Sequence, residues 1–218
     1  MESNEWLERE EIKWKQKSRE LWLKKGDRNS KFFHLSTLIR RHTNFIAEIQ
    51  LANGNWIHSR KDIEGYFASE FQYIFQSFHP QIPPLLEGFV SPCISNLENE
   101  EISKIPKPSE IREVIWVMHS LKASGPDGFP SLFFKNYWDI VGPQVTASIQ
   151  SFFRDRNLLP CINHTFITLI SKKQGACNFN HFRPISLCNF LYKIISKILA
   201  NRMRPLLAKI IDSAQDLG

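Results

Sequence analysis

The 218-residue sequence has no apolar run approaching the roughly 18–20 residues that cross a bilayer, which excludes a transmembrane helix and leaves no membrane partner to expect. Its four cysteines, Cys93, Cys161, Cys177 and Cys188, show no Cys-x-x-Cys spacing, and no hydrophobic signal segment precedes them. A disulfide framework is therefore not expected. The thiols read as buried groups in a reducing, intracellular compartment, nuclear or cytoplasmic but not secreted. Cys177 and His181 stand four apart, yet no second ligand pair follows at a zinc-site spacing, so no metal site is expected there. Internal repeats and low-complexity tracts are also missing, which removes solenoid and linker-like architectures.

What is present suffices for a packed core, with 42% hydrophobic and 12% aromatic residues. The formal net charge of +6 is unevenly spread: residues 1–61 carry +5, residues 62–121 carry −6 and residues 122–218 carry +7. Two basic segments thus flank an acidic one, and anionic partners are favoured.

Apolar positions from Asn4 to about Lys24 follow a broadly helical rhythm that Gly26-Asp27 breaks. A second helix is expected from Ser30 to Arg41, its Arg40-Arg41-His42 end suiting the negative helix pole. The run "FIAEIQLANGNWIHS" alternates across Asn53-Gly54 and predicts a hairpin of Phe45 to Leu51 with Asn55 to His58. Arg60 to Ser77 reads as an amphipathic helix. Residues 78–108, rich in proline at the start, read as a linker. Ser109 is a plausible N-cap for a helix to Leu121. Helices are predicted at Ser131 to Trp138 and Pro143 to Asn157, with Pro143 in the first turn. "HTFITLIS" and "FRPISL" are dense in β-formers and predict two strands. A closing helix from Asn189 to Ile211 has Pro205 as a kink. The fold class is α+β, mostly helical, with a small N-terminal β-hairpin.

Strand, basic loop, strand is an arrangement suited to a polyphosphate. Lys172 and Lys173 end the first strand and Arg183 begins the second, so ammonium and guanidinium groups gather at one end. Spacing alone equally fits a solvated hairpin tip with a salt-bridged arginine. In the N-terminal segment, Lys13, Lys15, Lys17, Arg19, Lys24, Lys25, Arg28, Lys31, Arg40 and Arg41 lie among Trp14, Trp22, Phe32 and Phe33. Cations interleaved with aromatics suit a phosphate backbone and unpaired bases. The alternative is an amphipathic helix with its aromatics in a core.

The stretches "LKASGPDGFPSLFFKNYWDIVG", "LLPCINHTFITLISKK" and "FRPISLCNFLYKIISKILANRMRPLLAKII" resemble the start of the reverse transcriptase domain of LINE-type, non-LTR retrotransposons, most closely plant ones. The run "WKQKSRELWLKKGDRNSKFFHLSTLIRRHTN" resembles the segment ahead of that domain in the same elements. The resemblance covers nearly the whole chain. It implies three parts: residues 1–77 as a basic extension, 78–108 as a linker and 109–218 as the fingers portion of a polymerase. It also implies that Lys172, with Lys173 beside it, and Arg183 contact the triphosphate of an incoming deoxynucleotide, alongside an RNA template and a DNA primer. Gly125, Pro126, Asp127 and Gly128 match the family's turn before the fingers. Asp127 is read as a turn or cap carboxylate bonding nearby amides. Ser124 and Ser171 depart from the family pattern, which often has proline at the first and Ile-Pro-Lys at the second.

Polymerases of this class use two magnesium ions held by palm aspartates, including a Tyr-x-Asp-Asp turn. No two aspartates are adjacent here, and Tyr66, Tyr73, Tyr137 and Tyr192 are followed by other residues. The resemblance stops near Gln215. The chain is therefore expected to hold no metal or other cofactor, to lack catalytic residues of its own and to be inactive alone. The alternative is a non-catalytic nucleic-acid-binding protein derived from a retroelement. A missing palm would leave Ile194, Ile195, Ile198 and Leu199 exposed and open to association.

Overall fold

The computed structural model describes residues 6, 7, 9, 10, 12–14, 30–77 and 93–211. The chain divides into two compact units, Met1–Phe78 with Thr168–Ile185, and His79–Ile167 with Ser186–Gly218. The fold is α+β and mostly helical. Set beside the three-part reading, residues 168–185, placed there with the fingers, cluster with the N-terminal residues, and residues 79–108, placed there as a linker, cluster with the second unit.

In the first unit, α1 spans Ser30–Thr43 and ends on Arg40, Arg41 and His42. Strands β1 (Ile49–Gln50) and β2 (Trp56–Ile57) pair antiparallel, Ile49 opposite Ile57 and Gln50 opposite Trp56. Gly54 takes φ +86° in the connecting turn, a conformation that favours glycine. The hairpin is shorter than its alternating pattern predicts, and Phe45 is 71% exposed. Alternation shows which face a residue takes, but a ladder also needs a facing strand to bond.

Helix α2, Arg60–Phe75, buries Ile63, Phe67 and Phe71 at helical spacing. These close a small core with Ile49 and Phe182, against which Leu169, Ala176 and Phe179 also pack. Phe67 meets Phe182 edge-on at 5.4 Å, and Phe71 meets Phe179 at 5.0 Å. Aromatic pairs of this geometry contribute about 0.5–1.5 kcal/mol beyond area burial. Aromatic packing thus explains why residues 168–185 belong to this unit.

In the second unit, α3 (Asn96–Ser103) lies inside the segment predicted as linker. Its Ser95-x-x-Glu98 capping box corrects that reading, for Ser95 Oγ accepts from Glu98 N while Glu98 accepts from Ser95 N. Helix α4 is Pro108–Val117, with Lys107 at the N-cap position in place of Ser109 and proline at the first turn. Helices α5 (Ser131–Asn136), α6 (Trp138–Asp155) and α7 (Pro160–Asn163) follow. Pro143 lies inside α6 and does not start it. Beside it, a Cβ on Gly142 would stand 2.8 Å from the Trp138 ring, so glycine lets the indole lie against its own helix.

Strands β3 (Thr165–Ser171) and β4 (Phe182–Cys188) form the second two-stranded sheet. Helix α8, Phe190–Met203, is followed by a 3-10 turn, Arg204–Leu206, and a short α9, Leu207–Ile210. The continuous helix expected to Ile211 is interrupted at Pro205, which has no N–H to carry the ladder.

The core of this unit joins Ile111, Val114 and Ile115 of α4, Phe134 of α5, Val145 and Ile149 of α6, and Phe190, Ile194, Ile195 and Ile198 of α8. Phe134 and Phe190 stack at 3.9 Å. The expectation that α8 exposes its isoleucines is corrected: Ile194 and Ile198 are fully buried, Ile195 is buried and Leu199 packs against them. α4 and α6 supply the apolar partners. No described helix is long and apolar enough to cross a membrane.

Candidate functional site

Lys172 follows β3 directly, and its N–H donates to the His181 carbonyl at 2.8 Å, extending the ladder beyond the strand. Gly175 takes φ +65° in the loop, and Phe179–His181 form a 3-10 turn. At the start of β4 the two-residue strand period points neighbours to opposite faces. Phe182 is buried in the aromatic core and Arg183 is exposed.

The Lys172 ammonium donates to Asn180 O at 2.9 Å. Lys173 and Arg183 are exposed, and among the described residues neither side chain has a hydrogen bond or ion pair. His181 is held below the ordinary histidine range, first by loss of solvent and then by the charges of Lys173 and Lys172. The local potential at this end of the hairpin is positive.

The hairpin shares a compact unit with the N-terminal cations Lys31, Arg40 and Arg41. Lys31 and Arg41 are exposed and Arg40 is half-buried. Lys13 is paired with Glu10 at 2.9 Å along its own helical turn. Lys15, Lys17, Arg19, Lys24, Lys25 and Arg28 lie outside the described residues, as does Trp22. Among the aromatics, Phe33 is 2% exposed and belongs to the core, so it offers no face to a base. Trp14 packs edge-on against His34 at 4.3 Å.

Residues 125–128 form a turn in the second unit, with Gly128 N donating to Gly125 O at 3.0 Å. A Cβ on Gly125 would lie 2.3 Å from the carbonyl carbon and oxygen of Cys188, so only glycine permits this backbone approach. Asp127 Oδ2 accepts from Phe190 N at 2.6 Å, capping α8 from 63 residues away. Its Oδ1 accepts from Phe129 N at 3.4 Å. Both carboxylate oxygens therefore serve backbone amides, one nearby and one remote.

Sequence reasoning passed over Asn189. Its Oδ1 accepts from Asp127 N at 2.9 Å, and its Nδ2 donates to Cys161 O and Ile162 O at 2.7 and 3.1 Å. An asparagine just ahead of an apolar helix signals a cap, but here its side chain reaches two other segments. Nothing local in the sequence announces that.

The basic residues of α8 are largely occupied. Lys193 Nζ donates to Ala123 O at 2.8 Å, and burial holds its ammonium below the usual range against the pull of Asp127. Arg202 grips Glu110 with both ends of its fork, Nε to Oε1 at 2.9 Å and Nη2 to Oε2 at 2.8 Å. Its Nη1 donates to Ile102 O at 2.9 Å and to Lys104 O, and its side chain is only 13% exposed. Lys193 and Arg202 are thus held in structural contacts, because backbone carbonyls and a carboxylate claim them. Lys197 and Arg204 remain exposed.

Over 191 residues, 87% of this chain, the sequence is 26% identical to the Transposon TX1 uncharacterized 149 kDa protein of Xenopus laevis. The matched chain spans only 14% of that protein's length. No protein-family model matches. The similarity supports a transposon-derived protein.

Proposed function

We propose that these residues form the nucleotide-binding fingers portion, with its basic upstream extension, of a reverse transcriptase from a LINE-type non-LTR retrotransposon, plant-like in its motifs. The observation that carries this reading is the β3–β4 end: Lys173 and Arg183 have exposed side chains without partners among the described residues, beside Lys172, where the family resemblance puts triphosphate contacts. A guanidinium fork and two ammonium groups at one end suit a polyphosphate. The similarity to a transposon protein adds support from an independent direction. In such an enzyme the extension would hold RNA template and DNA primer through Lys31, Arg40, Arg41 and the earlier cations.

Two magnesium ions would serve the parent enzyme by activating the primer hydroxyl and neutralising the triphosphate. The residues present do not fit them. Both Asp127 oxygens are spent on amides, and no group of three His, Cys, Asp or Glu gathers among the described residues. Template and nucleotide binding, without polymerisation, is the activity proposed for these residues themselves.

The test is binding of purified chain to a deoxynucleoside triphosphate and to single-stranded RNA across a salt series. Each lost charge-assisted contact costs about 1.5–3 kcal/mol, so Lys172→Ala/Arg183→Ala is expected to weaken triphosphate binding by at least about tenfold. RNA affinity should fall steeply with salt as counterions are released. Triphosphate binding that is absent, or unchanged in a folded double variant, overturns the reading.

A further inference from the structure

We infer that His181, as a neutral imidazole, is the positioning residue that latches the β3–β4 loop and thereby sets Lys172 and Lys173 for a polyphosphate. The inference rests on the proposed phosphate-binding role of the hairpin and adds a residue that neither the motif pattern nor the comparison assigns.

The loop has several internal bonds, and they converge on this residue. His181 Nδ1 accepts from the N–H of Cys177 at 3.2 Å and of Asn178 at 3.4 Å. His181 N donates to Asn178 O at 3.0 Å, and His181 O accepts from Lys172 N at 2.8 Å. The neighbouring carbonyl, Asn180 O, receives the Lys172 ammonium. Cys177 O in turn accepts from Gln50 N of β1 at 2.6 Å, which ties the loop to its unit.

An imidazole nitrogen that accepts two amides must carry a lone pair, so the ring proton sits on Nε2. Protonating Nδ1 would aim an N–H at two other N–H groups and place a cation beside two more. The charges that bear on the ring are Lys173 and Lys172 from its own hairpin, with no carboxylate among the described residues opposing them. The Cys177 thiol lies 3.9 Å from Nδ1 and is the other titratable group facing it. Because the ring is held below its ordinary value of 6.5, the latch is still closed at that pH and opens only as pH falls through the lowered value.

A histidine serving as latch and one serving as phosphate ligand have opposite pH signatures. Protonation releases a latch and weakens binding, whereas it strengthens a direct phosphate contact. His181→Asn separates the two, because its Oδ1 takes over the acceptor position and does not titrate.

The experiment uses the full chain, wild type, His181→Asn and His181→Ala, with two readouts from pH 7.5 down to about pH 4: amide shifts of Cys177 and Asn178 by NMR, and affinity for inorganic triphosphate. The wild-type amides are expected to shift in one transition below pH 6.5, the Asn variant to show none, and the Ala variant to have lost the latched shifts already at pH 7.5. Triphosphate affinity of the wild type relative to His181→Asn should fall by about threefold to tenfold on acidification, the range a single modest hydrogen bond carries. Wild-type amides without a transition, a relative affinity that rises, or an Ala variant matching wild type in both readouts overturns the inference. Triphosphate binding that is absent at every pH overturns the parent reading and the positioning role, while the amide shifts still decide whether the latch exists.

Discussion

The two units differ in what some of their cations do. In the second, Lys135 donates to Trp116 O, Met118 O and Ser120 Oγ at the end of α4, Lys193 to Ala123 O, and Arg202 to Glu110 and two carbonyls. Each cation satisfies acceptors that a helix end or turn leaves without intrahelical partners. In the first unit, Lys173 and Arg183 stand exposed and unpaired among the described residues. Net charge alone therefore says little about binding. What matters is whether the fold has already claimed the donors.

The cores differ too. The second unit packs aliphatic residues from three helices, α4, α6 and α8, around the Phe134–Phe190 stack, whereas the first rests on a compact aromatic group built on Phe67 and Phe71. The largest expected effect tests that contrast. Phe190→Ala removes a ring that is 1% exposed and should destabilise the second unit by about 3–5 kcal/mol, read as a drop in its thermal transition. A loss below about 1 kcal/mol would mean that the core does not depend on this stack.

The comparison of cations gives the next effect. Arg202→Met leaves Glu110 and two carbonyls unpaired, and urea denaturation should show a loss of about 2–4 kcal/mol, reduced from a fully buried pair because Glu110 is partly exposed. Lys173→Met and Arg183→Met should each stay within about 0.5 kcal/mol of wild type while losing triphosphate affinity. Equal destabilisation by Arg202→Met and Arg183→Met would erase the distinction between the units.

The smallest effect is a pH dependence within the second unit. Glu98 is pulled down to about 2, first by its hydrogen bond from Lys209 and then by those from Ser95. A carboxylate depressed in the folded state contributes fully above its ordinary value of 4.5, and the contribution is lost as pH falls from there toward about 2. Stability measured across that window should slope downward with acidification, less steeply in Glu98→Gln. Lys209 is exposed and Glu98 partly so, and solvent screening keeps the slope shallow.

Much of the local structure was legible. Helix α2, the β3 strand, the glycine turn of the first hairpin and the break at Pro205 follow from periodicity and backbone preference. The Ser95–Glu98 capping box was equally legible but was obscured by the prolines that precede it. The cation pair Lys173 and Arg183 was visible as a charge pattern, though a pattern shows no partners.

The sequence by itself determined most element types, the α+β class and where the cations gather along the chain, since helical period, β-branching, proline and charge act within a few residues. Tertiary structure alone decided that residues 168–185 pack on the N-terminal aromatic core, that Asp127 caps a helix 63 residues away, and that Arg202 is occupied while the Arg183 side chain has no partner among the described residues. The physical reason is that these outcomes depend on which distant donor meets which acceptor, and local patterning carries no record of that meeting.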